Sequence, residues 1–485
     1  MLFRSLEAQH VSCIEKLLET NPLGALAIMK QLEPRVYKKD YLLNALARFC
    51  VAGEQRKEAY ELVLTACKTP THLFHFIEKY EAACKVASNS TGWNRLQKDS
   101  VCAWYMDKPV LQLAYLVTKY KNRNGWTHTD VLRLAHPCAK DSLHDFLFAY
   151  VVKGYQAFQE KLQGLQGSYQ LIEYITAIEA LMASKSPDEA AVFIEQYNLA
   201  REHVPTALLN EPEIWRALSK KMPMVALMRN LNKMTSVGVF SSYSHDIKTH
   251  VIAQLTSEIA IQRSGVHPLQ ALIALNTYSK GKGEKGSLSW EPVPEIEASL
   301  ETAFKLAFNN VEPTHKRIMY ALDVSGSMTH ASVCGIETMT ASQVAVAMSM
   351  VLAAKEPNHV VMGFADKFKD LCISPDYSLK DSIHRVYMNT FGNTDISLPF
   401  TWALEKDRLF DVFVVFTDNE TNCSKVRPAD ALRDYRKKTG INAKLVVVGL
   451  SANKITVADP QDPGMMDIAG FDPDVPAIIR DFVLS

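Results

Sequence analysis

Between Arg317 and Met328 the chain reads R-I-M-Y-A-L-D-V-S-G-S-M, and few folds can accommodate that string. An unbroken apolar run bounded by charge implies a strand buried on both faces, as in a parallel sheet covered by helices. The run stops in Asp323-x-Ser325-x-Ser327, a carboxylate and two hydroxyls on one tight turn relieved by Gly326. Such hard oxygen donors suit Mg²⁺, which takes few carboxylates and keeps room for water or a partner's oxygen. In open α/β sheets ligands bind beyond the carboxyl ends of the strands, where this turn would lie.

Downstream of Lys316 strand and helix alternate. Strands are expected at Lys316–Leu322, His359–Phe364, Phe368–Ile373, Asp411–Phe416 and Ala443–Gly449. Helices are expected at Thr338–Lys355, Leu379–Met388, Leu398–Glu405, Pro428–Lys438 and Val475–Val483. The pattern predicts a doubly wound parallel sheet with helices on both faces. Two further loops leave the same end of that sheet: F-G-N-T-D carries Thr394, and V-V-F-T-D-N-E carries Asp418. With Asp323, Ser325 and Ser327 they would supply an oxygen-only site for Mg²⁺ or Mn²⁺. A lone D-x-S-x-S could equally cap a turn or a helix; the ordered triplet at three strand ends singles out a metal. Phosphoryl-transfer chemistry fits poorly, because Ser325 stands where a phosphoaspartyl hydrolase would need its second carboxylate. No histidine lies in these motifs, although His330 is near in sequence.

The first 310 residues read differently. Apolar residues recur at i, i+3 and i+4 in Val11–Thr20, Asp40–Phe49, Glu58–Cys67, Val110–Lys121, Leu171–Ala183, Glu213–Lys220 and Pro268–Ser279, with Pro or Gly between segments. No stretch sustains a period of two. Many short helices suggest an α-solenoid of the HEAT kind, although no fixed repeat length is visible. The expected domains are 1–310 and 314–485, with V-E-P-T-H-K (Val311–Lys316) as the hinge. A Gly/Lys loop at Tyr278–Trp290 lacks the order of a phosphate-binding loop and reads as a solvated connection.

Charge is balanced overall, with 53 Lys+Arg against 53 Asp+Glu. Residues 1–310 hold 35 cations and 31 anions, too small an excess to demand a polyanion partner by itself. Nine scattered cysteines, with no C-x-x-C, point to reduced thiols in a cytoplasmic protein, with the nucleus as a second compartment. No secretory leader and no long apolar run is visible, so a membrane partner is not expected.

Local clustering is more telling than the total. Across Lys108–Lys140 six cations (Lys108, Lys119, Lys121, Arg123, Arg133, Lys140) face one acid, Asp130. Spacing puts Lys119 and Arg123 one turn apart on a helix face, with Asn124-Gly125 breaking the helix. Thr127 and Asp130 form a capping-box pattern that would begin a second helix, carrying Arg133 and His136. Tyr120 and Trp126 could stack on bases, although a tryptophan here could equally wedge between helices and His136 before Pro137 could simply end one. A second basic run comprises Arg216, Lys220, Lys221, Arg229 and Lys233.

The strand-end residues resemble the metal-ion-dependent adhesion site of the von Willebrand factor A fold, over about Lys316 to Ser485. That resemblance implies direct ligation by Ser325, Ser327 and Thr394, with Asp323 and Asp418 acting directly or through water. It also implies a vacant position that takes an acidic residue from a partner protein. The strings K-T-P-T-H-L-F-H-F-I (Lys68–Ile77), V-T-K-Y-K-N-R-N-G-W-T-H (Val117–His128), L-R-L-A-H (Leu132–His136), L-M-R-N-L-N-K-M-T (Leu227–Thr235) and H-P-L-Q-A-L-I-A-L-N-T-Y (His267–Tyr278) are similar to the TROVE module of the Ro ribonucleoprotein autoantigen family. In the second domain A-L-D-V-S-G-S-M, V-F-T-D-N-E-T, A-L-R-D-Y-R-K-K and A-D-P-Q-D-P-G-M-M-D-I-A-G-F-D agree with it. The likeness implies a ring of HEAT-like helical repeats closed by the A domain, in a monomeric, non-catalytic protein of RNA quality control. Its expected partners are small noncoding Y RNAs on the outer basic surface and the single-stranded 3′ ends of misfolded RNA in the central hole. The family's Y RNA contacts match Lys119, Arg123 and His136. Leu6–Leu32 is similar to a point some way into the family's module, so its first segment is expected to be absent. The competing reading is a metal-dependent intracellular adaptor that grips an acidic protein through the A domain.

Overall fold

The computed structural model describes residues 16, 19–35, 39–162, 169–241, 245–283, 287–333, 336–389, 392–418, 426–451, 457–470 and 475–485. The helix expected over Val11–Thr20 falls mostly outside these residues, as do the middle of the Gly/Lys loop and the N-E-T that follows Asp418. Met1–Lys221 forms one compact unit and Met222–Ser485 another. Secondary structure changes character near residue 310, whereas packing divides the chain at 221/222. Within the second unit the helix Pro268–Ser279 packs on both Pro294–Leu306 and Ala341–Ala353.

The first unit is built of helices with locally encoded ends. Pro70–Ser88 illustrates this: Thr69 caps it by accepting from the His72 N–H, Pro70 occupies the first turn, and Asn89 stops it in the left-handed region. Its apolar face, Leu73, Phe74, Phe76, Ile77 and Tyr80, packs on Asp40–Ala52 in a core that also holds Trp104 and Tyr105. Burying such side chains is worth roughly 1.5–3 kcal/mol each, which is what holds short helices in register. No helix among the described residues is long and apolar enough to cross a membrane.

Two histidines are buried in this core in neutral form. The His128 ring shares a 2.7 Å hydrogen bond with the Tyr105 hydroxyl, and burial holds its pKa down at about 3. His203 accepts from the Ala200 N–H through Nδ1 and meets the Thr118 hydroxyl at 3.0 Å through Nε2. Burial, then the charges of Lys121 and Lys119, lower it to about 4. An unfolded histidine takes up its proton below about pH 6.5, whereas these two do so only well below that. Stability is therefore present at neutral pH and lost as pH falls, by about 1.4 kcal/mol per pH unit for each histidine. Urea unfolding of the full chain should lose about 2 kcal/mol per histidine between pH 6.5 and 5. His203→Asn should remove about half of that loss, and an unchanged pH dependence in the variant would contradict the assignment.

In the second unit six strands form one sheet: β1 Ile318–Asp323, β2 His359–Phe364, β3 Phe368–Asp370, β4 Val412–Thr417, β5 Lys444–Gly449 and β6 Met465–Ala469. Their order is β6-β5-β4-β1-β2-β3. The expected parallel sheet is present with two differences. The edge strand β3 is antiparallel to β2, because the Ala365–Lys367 link is a tight turn and parallel pairing needs a long crossover. The strand β6, parallel to β5, carries no clear sequence signal, because its half-buried Asp467 interrupts a short apolar run. A small antiparallel pair, Ser332–Val333 with Ile336–Thr340, also precedes the helix Ala341–Ala353.

Alternation along the strands fills both faces. Met319, Ala321, Phe413, Val415, Leu445 and Val447 meet Phe400 and Ala403 of Leu398–Glu405 and Leu432 and Tyr435 of Pro428–Thr439. The helix Ala341–Ala353 packs on β1, β2 and β4, and nearly all of its residues are buried. The start of β1 is pinned laterally, since Arg317 donates from its backbone and guanidinium to Asp411 at the head of β4. That register delivers the C-terminal ends of β1, β2 and β4 side by side.

Candidate nucleic-acid interface and metal centre

At the end of β1, Asp323 is only 1% exposed. One of its carboxylate oxygens accepts the Ser325 N–H at 2.9 Å, and the other accepts the Thr417 hydroxyl at 2.8 Å. The Ser325 and Ser327 hydroxyls lie 3.0 Å apart, and Ser327 is exposed, so the pair opens to solvent. Asp418 follows Thr417 at the end of β4 and is buried. Buried Thr394 sits in the loop before Leu398–Glu405, and its neighbour Asp395 donates from its N–H to Ala365 O at 2.9 Å. That bond ties the Thr394 loop to the end of β2, the other neighbour of β1. The fold therefore gathers Asp323, Ser325, Ser327, Thr394 and Asp418 at one edge.

The electrostatics suit a cation. Burial, with a smaller push from Asp418, raises the Asp323 carboxyl to about 6 despite the donors around it. Two close, buried carboxylates beside hydroxyls are costly without a compensating charge, and a hard divalent ion supplies one. The donor set therefore fits Mg²⁺ or Mn²⁺. Thr417 was not singled out by the sequence; its position beside Asp323 follows from the Leu322–Phe416 pairing of β1 with β4. Thr417→Val keeps the shape but strips one buried carboxylate oxygen of its donor, which should cost about 1–3 kcal/mol in thermal unfolding. A variant as stable as the original would contradict that role.

The basic corner lies in the first unit. The helix Val110–Lys119 ends earlier than the spacing predicts, and this corrects the expectation that Lys119 and Arg123 share a helix face. Asn124 (φ +51°) and Gly125 (φ +77°) instead make a two-residue turn, pairing Asn122–Arg123 with Trp126–Thr127 in a small hairpin. Asn-Gly favours this turn because both residues tolerate positive φ. Asn124 also donates to Glu78 at 2.9 Å, fixing the hairpin tip on Pro70–Ser88. Arg123 is exposed on the hairpin, its guanidinium on Asn122 O at 3.0 Å. Lys119 donates to the Tyr115 hydroxyl at 2.9 Å and lies over the Tyr115 and Tyr120 rings. Burial pulls its pKa down, but the tyrosines and Glu202 outweigh it, so the net shift is upward and the ammonium stays charged.

The capping box of Thr127 and Asp130 starts the helix His128–Ala135 as expected. His136 ends it in the left-handed region (φ +52°, ψ +55°), with an exposed ring. Eight helical residues at 1.5 Å rise separate the hairpin from His136, roughly 12 Å. Lys119 thus ends the helix that leads into the hairpin, Arg123 stands on the hairpin itself, and His136 lies at the far end of the next helix. Trp126 packs against Trp93, ring centres 5.9 Å apart, and so acts as a wedge.

Several other cations are engaged within the fold. Lys108 donates to Trp104 O and covers its ring, and Lys140 donates to Met106 O. In the second basic run Arg216 pairs with Glu213 and Lys220 with Glu195. Arg95 and Lys98, outside the basic cluster in sequence, line with Trp93 and His136 an open cavity of about 550 Å³. A signal was present: both cations occupy the first turn of Arg95–Met106, where acids are favoured and none occurs.

Comparison with known proteins agrees with both halves. The family model described as the TROVE domain matches residues 18–277, and that described as the Ro60 vWA domain matches residues 317–483. A Caenorhabditis elegans protein named RNA-binding protein RO60 is 35% identical, over 91% of this chain and 74% of the relative. A Deinococcus radiodurans protein of the same name is also 35% identical, over 93% of this chain and 82% of the relative. The crystal structure of the Deinococcus radiodurans RO (RSR) protein superposes with a TM-score of 0.85 and 34% identity, over 97% of this chain and 93% of that one.

Proposed function

The chain belongs to the Ro family, in which a TROVE domain precedes a Ro60 vWA domain, and on that premise we propose that it is an RNA-binding ribonucleoprotein component. Its ligands are small structured noncoding RNAs of the Y RNA kind and the single-stranded 3′ ends of misfolded RNA. It acts by holding RNA for quality control, as a monomer and without chemistry of its own, in the cytoplasm and secondarily the nucleus. The observation that carries this reading is the hairpin corner, where Lys119 is held charged and Arg123 stands exposed. A guanidinium and an ammonium presented at a rigid corner fit phosphate, and His136 one helix away requires a stretch of RNA to span them.

Asp323, Ser325, Ser327, Thr394 and Asp418 would hold Mg²⁺ or Mn²⁺. The bound ion would supply a Lewis-acid position for a carboxylate oxygen of an acidic protein partner. This is the adaptor reading, kept as a second activity because the exposed Ser327 hydroxyl opens the buried Asp323 site to solvent.

Titrating the full chain with a labelled structured RNA, with and without a single-stranded 3′ tail, tests the proposal. Both RNAs should bind, the tailed one more tightly. Binding no tighter than that of inorganic polyphosphate of equal charge would contradict it.

A further inference from the structure

We propose that the cavity beside His136 is a second phosphate site, in which Arg95 and Lys98 hold the backbone of the RNA strand running on from the hairpin corner. The inference rests on the RNA reading above and extends its footprint beyond Lys119, Arg123 and His136.

The first argument is continuity. His136 lines the cavity together with Trp93, Arg95, Lys98 and Asp99, so a strand reaching His136 is already at its mouth. The second is availability. The Arg95 side chain is 94% exposed, and its contact with Asp99 is a loose 3.6 Å pair. The Lys98 ammonium has no hydrogen-bond or ion-pair partner among the described residues, in contrast to Lys108 and Lys140.

The third argument is electrostatic. Arg95 and Lys98 sit in the first turn of the twelve-residue helix Arg95–Met106, where the helix dipole already favours anions. Cations there weaken the helix locally, while together with its N-terminal end they strengthen the positive field. A phosphate entering the cavity meets two cations and that end against one acid, Asp99, and replaces Asp99 as the partner of Arg95. The Trp93 ring is fixed by its donation to Glu81 at 3.0 Å and by Trp126 behind it, and it offers the sugar a flat wall.

The test uses the full chain and a small structured RNA. Arg95→Gln/Lys98→Gln removes the charges without opposing the helix, so folding should be retained, as a thermal melt would verify. Its affinity should fall about tenfold at moderate salt, and the slope of log affinity against log salt should flatten by about 1 to 2. A second readout is chemical: Cys138 is exposed at the cavity, and Cys372 is exposed in the other unit. Saturating RNA should slow iodoacetamide labelling of Cys138 at least about fivefold and leave Cys372 unchanged, because a strand in the cavity excludes the reagent. Undiminished affinity and unshielded Cys138, while Lys119→Ala/Arg123→Ala loses binding, would overturn the second site and leave the hairpin corner standing. If neither double substitution weakens binding, both fall.

Discussion

Lys119→Ala combined with Arg123→Ala is expected to weaken binding of a small structured RNA by about 100-fold. Hydrogen bonds to charged groups contribute roughly 1.5–3 kcal/mol each, so losing two removes about 3 kcal/mol, and every 1.4 kcal/mol is tenfold. The fold should survive. Arg123 is exposed and, among the described residues, its guanidinium donates only to the adjacent Asn122 carbonyl, and Lys119 leaves intact tyrosines when truncated. Lys119→Arg with native Arg123 should retain most of the affinity, since charge at the corner is kept. A double variant that binds as the original does would remove the hairpin from the interface.

The second large effect concerns the metal. Mg²⁺ at about a hundred times its Kd stabilises a protein that binds it only when folded by about 2.7 kcal/mol. The second unit should gain stability of that order on titration, and Asp323→Ala should abolish the gain. Because Asp323 is buried and bonded to Ser325 and Thr417, its removal also perturbs the loop. Ser327→Ala separates the two effects: Ser327 is exposed, so the metal-free melt should hardly move while the increment from Mg²⁺ is lost. Isothermal titration of both variants checks this. An Asp323→Ala protein still stabilised by Mg²⁺ would place the ion elsewhere.

Much of the fold was legible because its signals are local. The buried run of β1, the period-3.6 helices and the Thr127–Asp130 capping box all specify structure over a few residues. The placement of the residues proposed as metal donors was legible for the same reason, each standing at the end of a readable strand or loop. What escaped depended on contacts distant in sequence. Thr417 gained a role only through the lateral register of β4 on β1, which alternation does not reveal. The i, i+4 spacing of Lys119 and Arg123 suggests a common helix face, but the positive φ values of Asn124 and Gly125 turn the chain into a hairpin there. Lys108 and Lys140 belong to the basic cluster in sequence, but tertiary packing places them on backbone carbonyls. Arg95 and Lys98 lie outside the basic cluster in sequence and join His136 only in space.

Binding of RNA through phosphate contacts, and not through the proposed metal, is tested most directly by the salt dependence of the unaltered protein. A structured RNA with a single-stranded 3′ tail is titrated at about 50 and 200 mM monovalent salt, each with and without chelator. Four phosphate contacts, by Lys119, Arg123, Arg95 and Lys98 at about 0.9 in slope each, predict affinity about 150-fold weaker at the higher salt. The two curves with and without chelator should coincide. An affinity nearly flat in salt and abolished by chelator would contradict the account and leave the metal-dependent adaptor.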